Sequence, residues 1–335
     1  MEHLLFTLNA ILPILIPIFL GYFLKKMNFF SDGFLNEANK LVFKILIPVL
    51  LFSNIYLADI RTINWAFIGF SSAGILILFV VGLLIVTFMI PDPKQKGVVL
   101  QASFRSNYAI IGIPLATLLG GASAKVEASV VAAISVPLFN ILAVISLSIF
   151  DKEPGEKVSI KNVLYKIITN PLMIGVFAGL LFCLSSLLFQ KIFNFTLEDE
   201  INLFNDSKGL QFFSTSIDYI GRCATPIALL VLGGKFKFTA VKSFAKQLIV
   251  SVSLRLVITP LIFLVIAYYL GFKSSTNFAI LIALFATPIA VSSAPMAAQM
   301  GQDEELAGQI VVWTSALSAI SLFLIIIICS SIGIF

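Results

Sequence analysis

The sequence predicts an all-α integral membrane protein of ten transmembrane helices, built as two inverted five-helix repeats with broken, crossing helices 4 and 9. Three observations carry this: the composition, the spacing of the apolar runs, and a weak internal similarity at a fixed shift. Of 335 residues, 59% are hydrophobic and 12% are charged. Soluble domains carry about 25% charged residues, and a soluble fold could not cover this much apolar surface with so few. A bilayer demands no polar exterior.

A membrane helix needs about 20 mostly apolar residues. Ten runs qualify: 4–24, 34–57, 64–90, 97–119, 126–150, 168–190, 212–234, 244–270, 277–300 and 307–332. The first repeat is residues 1–150, a loop follows at 151–167, and the second repeat is 168–335. The segment 191–209 is expected to contain a short interfacial helix. The opening MEHLLFTLNAILPILIPIFLGYFL lacks the basic start of a signal peptide and is long enough to span, so it reads as the first membrane helix. Cys183, Cys223 and Cys329 all lie in apolar runs and read as small buried hydrophobes.

Lysine and arginine set the orientation. The loops after spans 1, 3, 5, 7 and 9 hold twelve basic residues, and the other loops and termini hold five. The odd-numbered loops are therefore expected inside, with both termini outside, in a cell (inner) membrane. The net charge is +5 with no long basic run, which gives no reason to expect a nucleic-acid partner.

The repeat emerges from spans 4 and 9. Shifting QASFRSNYAIIGIPLATLLGG by 181 positions pairs Pro114 with Pro295, Gly120 with Gly301, Ala102 with Ala283 and Phe104 with Phe285. Span 2 around Pro48 also matches span 7 around Pro226 loosely. Five spans is an odd number, so the second copy inserts upside down. Spans 4 and 9 are also the most interrupted, by Asn107, Gly112 and Pro114 in one and Pro288, Ser292, Ser293 and Pro295 in the other. Proline removes a backbone donor and clashes with the preceding turn. Inside a bilayer the freed groups must find partners or line a wet cavity. Two readings are open: kinked packing helices, or helices broken at the midplane with half-helix N-termini that suit a carboxylate.

Charged residues inside spans need a reason. Arg255 lies 11 residues into span 8, about 16 Å at 1.5 Å per residue. It is either the counter-ion of a substrate or a cation facing the negative ends of the half-helices. Arg105 and Lys44 are read as snorkelling to the inner face, and Arg222 outward with Asp218 as partner. The 17 acidic residues fall in loops or near span ends. With no deep carboxylate, uniport or weakly coupled transport is expected. No cluster of metal ligands, phosphate-binding loop or catalytic constellation is apparent, so neither cofactor nor enzyme activity is expected.

SNYAIIGIPL in span 4 resembles the auxin efflux carrier family, whose fourth helix carries an Asn followed five residues later by Gly-x-Pro-Leu; here these are Asn107, Gly112, Pro114 and Leu115. LVFKILIPVLLFSNI, NPLMIGVFAGLL, ATPIALLVLGGKF, LRLVITPLIFLVIAYYLG and GQDEELAGQIVV are similar to the family's helices 2, 6, 7 and 8 and the opening of its helix 10. The resemblance implies a crossed-helix fold like that of sodium/proton antiporters and bile-acid transporters. It also implies a scaffold of spans 1, 2, 6 and 7 and a mobile core of spans 3–5 and 8–10. Many bacterial relatives carry an Asn four residues after the first proline of helix 9, where this chain has Ser292.

The expected function is secondary transport of a small organic anion, a carboxylate, by alternating access at the crossing. The alternatives are a sodium-coupled symporter of the bile-acid type and, remotely, an intramembrane enzyme. The candidate substrate-binding residues are Asn54, Asn107, Tyr108, Gly112, Pro114, Arg255, Pro288, Ser292, Ser293 and Pro295. The expected partners are the substrate and the lipid bilayer, with a homodimer compatible with the sequence.

Overall fold

The computed structural model describes residues 2–56, 64–150, 160–193, 211–237 and 241–335. Among these the chain is all helical, with no strand and a single isolated antiparallel bridge between Ser106 and Ile289. The helices follow the apolar runs closely. They are α1 Glu2–Lys26, α2 Asp32–Ile55, α3 Trp65–Met89, α4 Pro93–Phe104, α5 Tyr108–Ser148, α6 Ile160–Ile168, α7 Pro171–Phe193, α8 Gln211–Lys235, α9 Ala245–Tyr269, α10 Ser275–Phe285, α11 Ser293–Gln299 and α12 Glu304–Ser331. Six of the described helices, α2, α3, α5, α8, α9 and α12, are long and apolar enough to cross a membrane.

Local sequence explains where helices start. Asn64, Asp92, Ser274 and Asp303 each accept a backbone N–H of the first turn: from Phe67 at 3.2 Å, Lys94 at 2.9 Å, Asn277 at 3.1 Å and Leu306 at 2.9 Å. Asp92 is followed by Pro93 at the first helical position, where a missing N–H costs nothing. The predicted loop 151–167 needs correction, because Ile160–Ile168 is helical. Its apolar residues recur at helical spacing, and the break comes later, at Asn170, whose side chain accepts from Leu172 N at 2.9 Å just before α7. The interfacial helix expected in 191–209 falls at 194–209 outside the described residues.

Three spans share one device. Pro48, Pro114 and Pro260 each stand two residues after a five-residue π-helical turn, at Val42–Leu46, Tyr108–Gly112 and Leu254–Ile258. The wider turn makes room for the ring that an unbroken α-helix would push against a carbonyl.

The arm Ile113–Ser148 of α5 has 36 residues, about 54 Å at 1.5 Å per residue, far beyond the ~30 Å hydrocarbon core. It turns a corner at Gly121, with φ 74° and ψ −160°, a conformation open to glycine almost alone. Beyond the corner the chain returns alongside α4, so that Gly97 meets the backbone of Ser146. α1, α2, α7 and α8 pack side by side, and α3, α4, α5, α9 and α10 pack around the two helix breaks, while α12 joins the two groups by packing against α1 as well as against α4, α9 and α11.

Candidate functional site

α4 ends at Phe104 and α10 at Phe285, and neither continues directly into the next helix. The intervening residues 105–107 and 286–292 run past each other at the centre of the molecule. The N–H of Asn107 donates to the Pro288 carbonyl at 2.9 Å, and the Ser106 and Thr287 hydroxyls lie 2.6 Å apart. Both expected breaks are therefore present, and they touch. Asn107 sits in the break itself, immediately before the first residue of α5.

Breaking a helix leaves carbonyls at one end and N–H groups at the other without helical partners. Arg255, 0% exposed, serves the carbonyl ends of both broken helices. Its Nε donates to Thr287 O at 2.7 Å, Nη2 to Leu284 O at 2.8 Å and Nη1 to Phe104 O at 3.4 Å. Thr259, one turn along α9, adds a long contact to Ser103 O at 3.4 Å. Of the two roles read for Arg255, compensation of helix ends matches this position. It does not line the cavity described next.

On the opposite, N–H side of the breaks lies a cavity of about 60 Å³. Its polar wall is Asn54, Arg105, Ser106, Asn107, Tyr108, Asn140, Thr225 and Ser292, and its apolar wall includes Ile47, Leu50, Leu51, Val136 and Phe139. Of the candidate residues, Asn54, Asn107, Tyr108 and Ser292 line it together, whereas Gly112, Pro114, Pro288 and Ser293 do not, and Pro295 lines a different cavity. Gly112 leaves no room for a Cβ, which would come within 2.8 Å of the Tyr108 ring and 3.1 Å of Ala283 O. Tyr108 is buried and donates to Ala128 O at 3.2 Å. The Asn107 side-chain nitrogen is buried and has no hydrogen-bond partner, although its residue lines the cavity.

Arg105 requires the largest correction. It does not snorkel: it is 1% exposed and forms the floor of the cavity. Nη1 donates to Gln101 Oε1 at 2.5 Å and contacts Met296 Sδ at 3.2 Å, while Nη2 donates to Asn140 Oδ1 and Ser292 Oγ, both at 2.9 Å. All four partners are neutral. Among the described residues no carboxylate lies within salt-bridge distance of it, and the ion pairs present, such as Lys25–Asp32 and Lys235–Glu304, involve other residues. Lys44 is exposed, and exposed Arg222 pairs with Asp218 at 2.7 Å, as the sequence suggested.

The local dipole has the same sign as Arg105. α5 begins at Tyr108, and the first N–H groups of a helix carry partial positive charge. α11 contributes less than expected, because its first N–H groups, of Ser293 and Ala294, already donate to Ala290 O and Val291 O. A guanidinium, an unpartnered amide nitrogen and a helix N-terminus therefore converge on one space, and no carboxylate among the described residues pairs with the guanidinium.

The description "membrane transport protein" belongs to a family whose model matches residues 6–326 of the chain. An uncharacterized transporter of Methanothermobacter thermautotrophicus (strain Delta H) is 23% identical over 324 residues, covering 94% of this chain and 95% of that protein.

Proposed function

The chain belongs to the membrane transport protein family, the auxin efflux carrier-like proteins, and from that premise we propose that this multi-pass membrane transporter moves a small organic anion through the cavity at the crossing. The observation that carries the proposal is Arg105, a buried cation facing a cavity and surrounded by neutral partners. A charge at membrane depth is costly unless something compensates it. Arg255 faces carbonyls, the negative ends of helices. Arg105 stands beside N–H ends, where the protein adds positive potential, so a substrate carboxylate is the natural complement. Asn107 Nδ2 adds a donor within the same wall, and Asn140 and Ser292 hold the guanidinium in place.

The ten-span inverted repeat is supported by the helix bounds. Adding 181 to the bounds of α3 gives 246–270, against Ala245–Tyr269 for α9, and adding it to those of α4 gives 274–285, against Ser275–Phe285 for α10. The positions related by the same shift, Ser106 with Thr287 and Asn107 with Pro288, are the ones that touch. On this reading α1, α2, α7 and α8 form a scaffold, and the helices around the breaks form a mobile core. Alternating access is supported by a second, larger cavity of about 570 Å³, which shares Ala228 with the first and is lined by Lys25, Lys235, Lys237 and Glu304. By the lysine bias that end is cytoplasmic, which makes this cavity an inward route in the cell membrane.

Purified protein tested against acetate, pyruvate, benzoate, indole-3-acetate and succinate, first by thermal shift and then by flux in liposomes, checks the proposal. A carboxylate that both binds and crosses is expected. Transport of a cation or a neutral solute, with no response to any of these acids, would refute it.

A further inference from the structure

We propose that the protein is an anion exchanger: its core crosses readily with an anion bound and only slowly without one. This rests on the reading of the crossing as an anion site. The reason is the charge that the core carries in each case. Arg105 is held by Gln101, Asn140, Ser292 and Met296, which come from both sides of the crossing, so the guanidinium moves with the core as part of it. Arginine does not lose its proton in proteins, so the charge cannot be shed on the way. Among the described residues no carboxylate neutralises it.

Without a substrate the core must therefore carry a buried positive charge past the apolar wall of α2, formed by Ile47, Leu50 and Leu51. With a monocarboxylate bound, the charge at the site is zero. Moving an uncompensated ion through a low-dielectric path is far more costly than moving a neutral pair. The return of the unloaded core is then the slow step, and any anion on the far side that loads it removes that barrier. Net flux is slow and electrical, while exchange is fast and, for a monocarboxylate, electroneutral. The absence of a deep carboxylate, which by itself suggests uniport or weakly coupled transport, is equally compatible with exchange of this kind.

The test uses the full chain in liposomes loaded with whichever of radiolabelled acetate, pyruvate, benzoate or indole-3-acetate binds most tightly. Efflux is followed into buffer without the anion and into buffer with the same anion unlabelled. External anion is expected to accelerate efflux roughly tenfold or more. A potassium diffusion potential is expected to change the unaccelerated efflux and leave the exchange rate unchanged. Equal efflux under both conditions would overturn exchange and leave anion transport standing. Failure of every acid to bind or cross would overturn the underlying reading and exchange with it. Arg105→Lys, which keeps the charge, is expected to keep the acceleration. Arg105→Gln is expected to show residual efflux that external anion no longer accelerates, and full acceleration in that variant would overturn the charge argument.

Discussion

Arg105 and Arg255 stand on opposite faces of one crossing, and the helix ends around them differ in sign. Arg255 supplies donors to the Leu284, Thr287 and Phe104 carbonyls. Each buried acceptor left unpaired costs about 1–3 kcal/mol. Arg255→Met is therefore expected to lower the melting temperature sharply in detergent, read by intrinsic fluorescence. An unchanged melting temperature with lost transport would instead make Arg255 a ligand of the substrate. Asn107→Ala removes an amide whose nitrogen has no protein partner. Its expected effect is on binding, a loss of about 1–3 kcal/mol typical of hydrogen bonds to charged groups, with little change in melting. Calorimetric titration of a bound carboxylate checks this, and unchanged affinity would move the site elsewhere. The sequence pointed to Asn107 but misjudged Arg105, for a traceable reason. Counting the span from residue 97 put Arg105 near the surface, whereas the helix starts at Pro93, capped by Asp92. That places Arg105 12 residues in, about 18 Å along a helix, past the middle of the bilayer. The Asp-Pro pair was the available signal, and hydropathy averaging conceals it.

At the scale of the element, proline and glycine do different work. Pro48, Pro114 and Pro260 bend helices that remain intact because a π-helical turn precedes each one. Gly121 reverses the chain outright. A Cβ there would meet nothing within 4 Å, so space is not what requires glycine. The backbone conformation requires it, and Gly121→Ala is expected to cost about 1–3 kcal/mol of stability through strain alone. Comparing the melting of Gly121→Ala with that of Gly69→Ala, an open helical position without the unusual φ, isolates the term. Equal melting of the two would show that the corner tolerates a side chain. Helices and breaks were legible from apolar runs and prolines because both are local properties. The helix at Ile160–Ile168 was not, since its charged surroundings dilute an amphipathic pattern shorter than a span.

For the whole molecule, lysine placement carries the orientation. A cysteine placed at Lys157, in a background without the three native cysteines, is expected to resist an impermeant external thiol reagent, and one at Asp199 to react. The opposite pattern would invert the topology and make the Lys235–Glu304 end extracellular. The composition and the apolar runs fixed the membrane class because they sum over hundreds of residues. The contents of the cavity wall could not be read the same way. Asn140 and Thr225 reach it from helices that the sequence leaves indistinguishable from packing elements, and only the meeting of distant segments gives them a common neighbour.

The shared hold of Arg255 has a consequence for ancestry. If both halves descend from one duplicated gene, the position corresponding to Arg255 in the first half is 255 − 181 = 74, which is Gly74. A side chain there would strike the rings of Phe263 and Phe285 at 2.8 Å. One guanidinium already reaches the ends of both broken helices, so a second would be redundant and would repel the first. On that reading the two halves have to differ at this position: the second supplies the cation for both broken helices, and the first leaves the space at Gly74 that the rings of Phe263 and Phe285 fill.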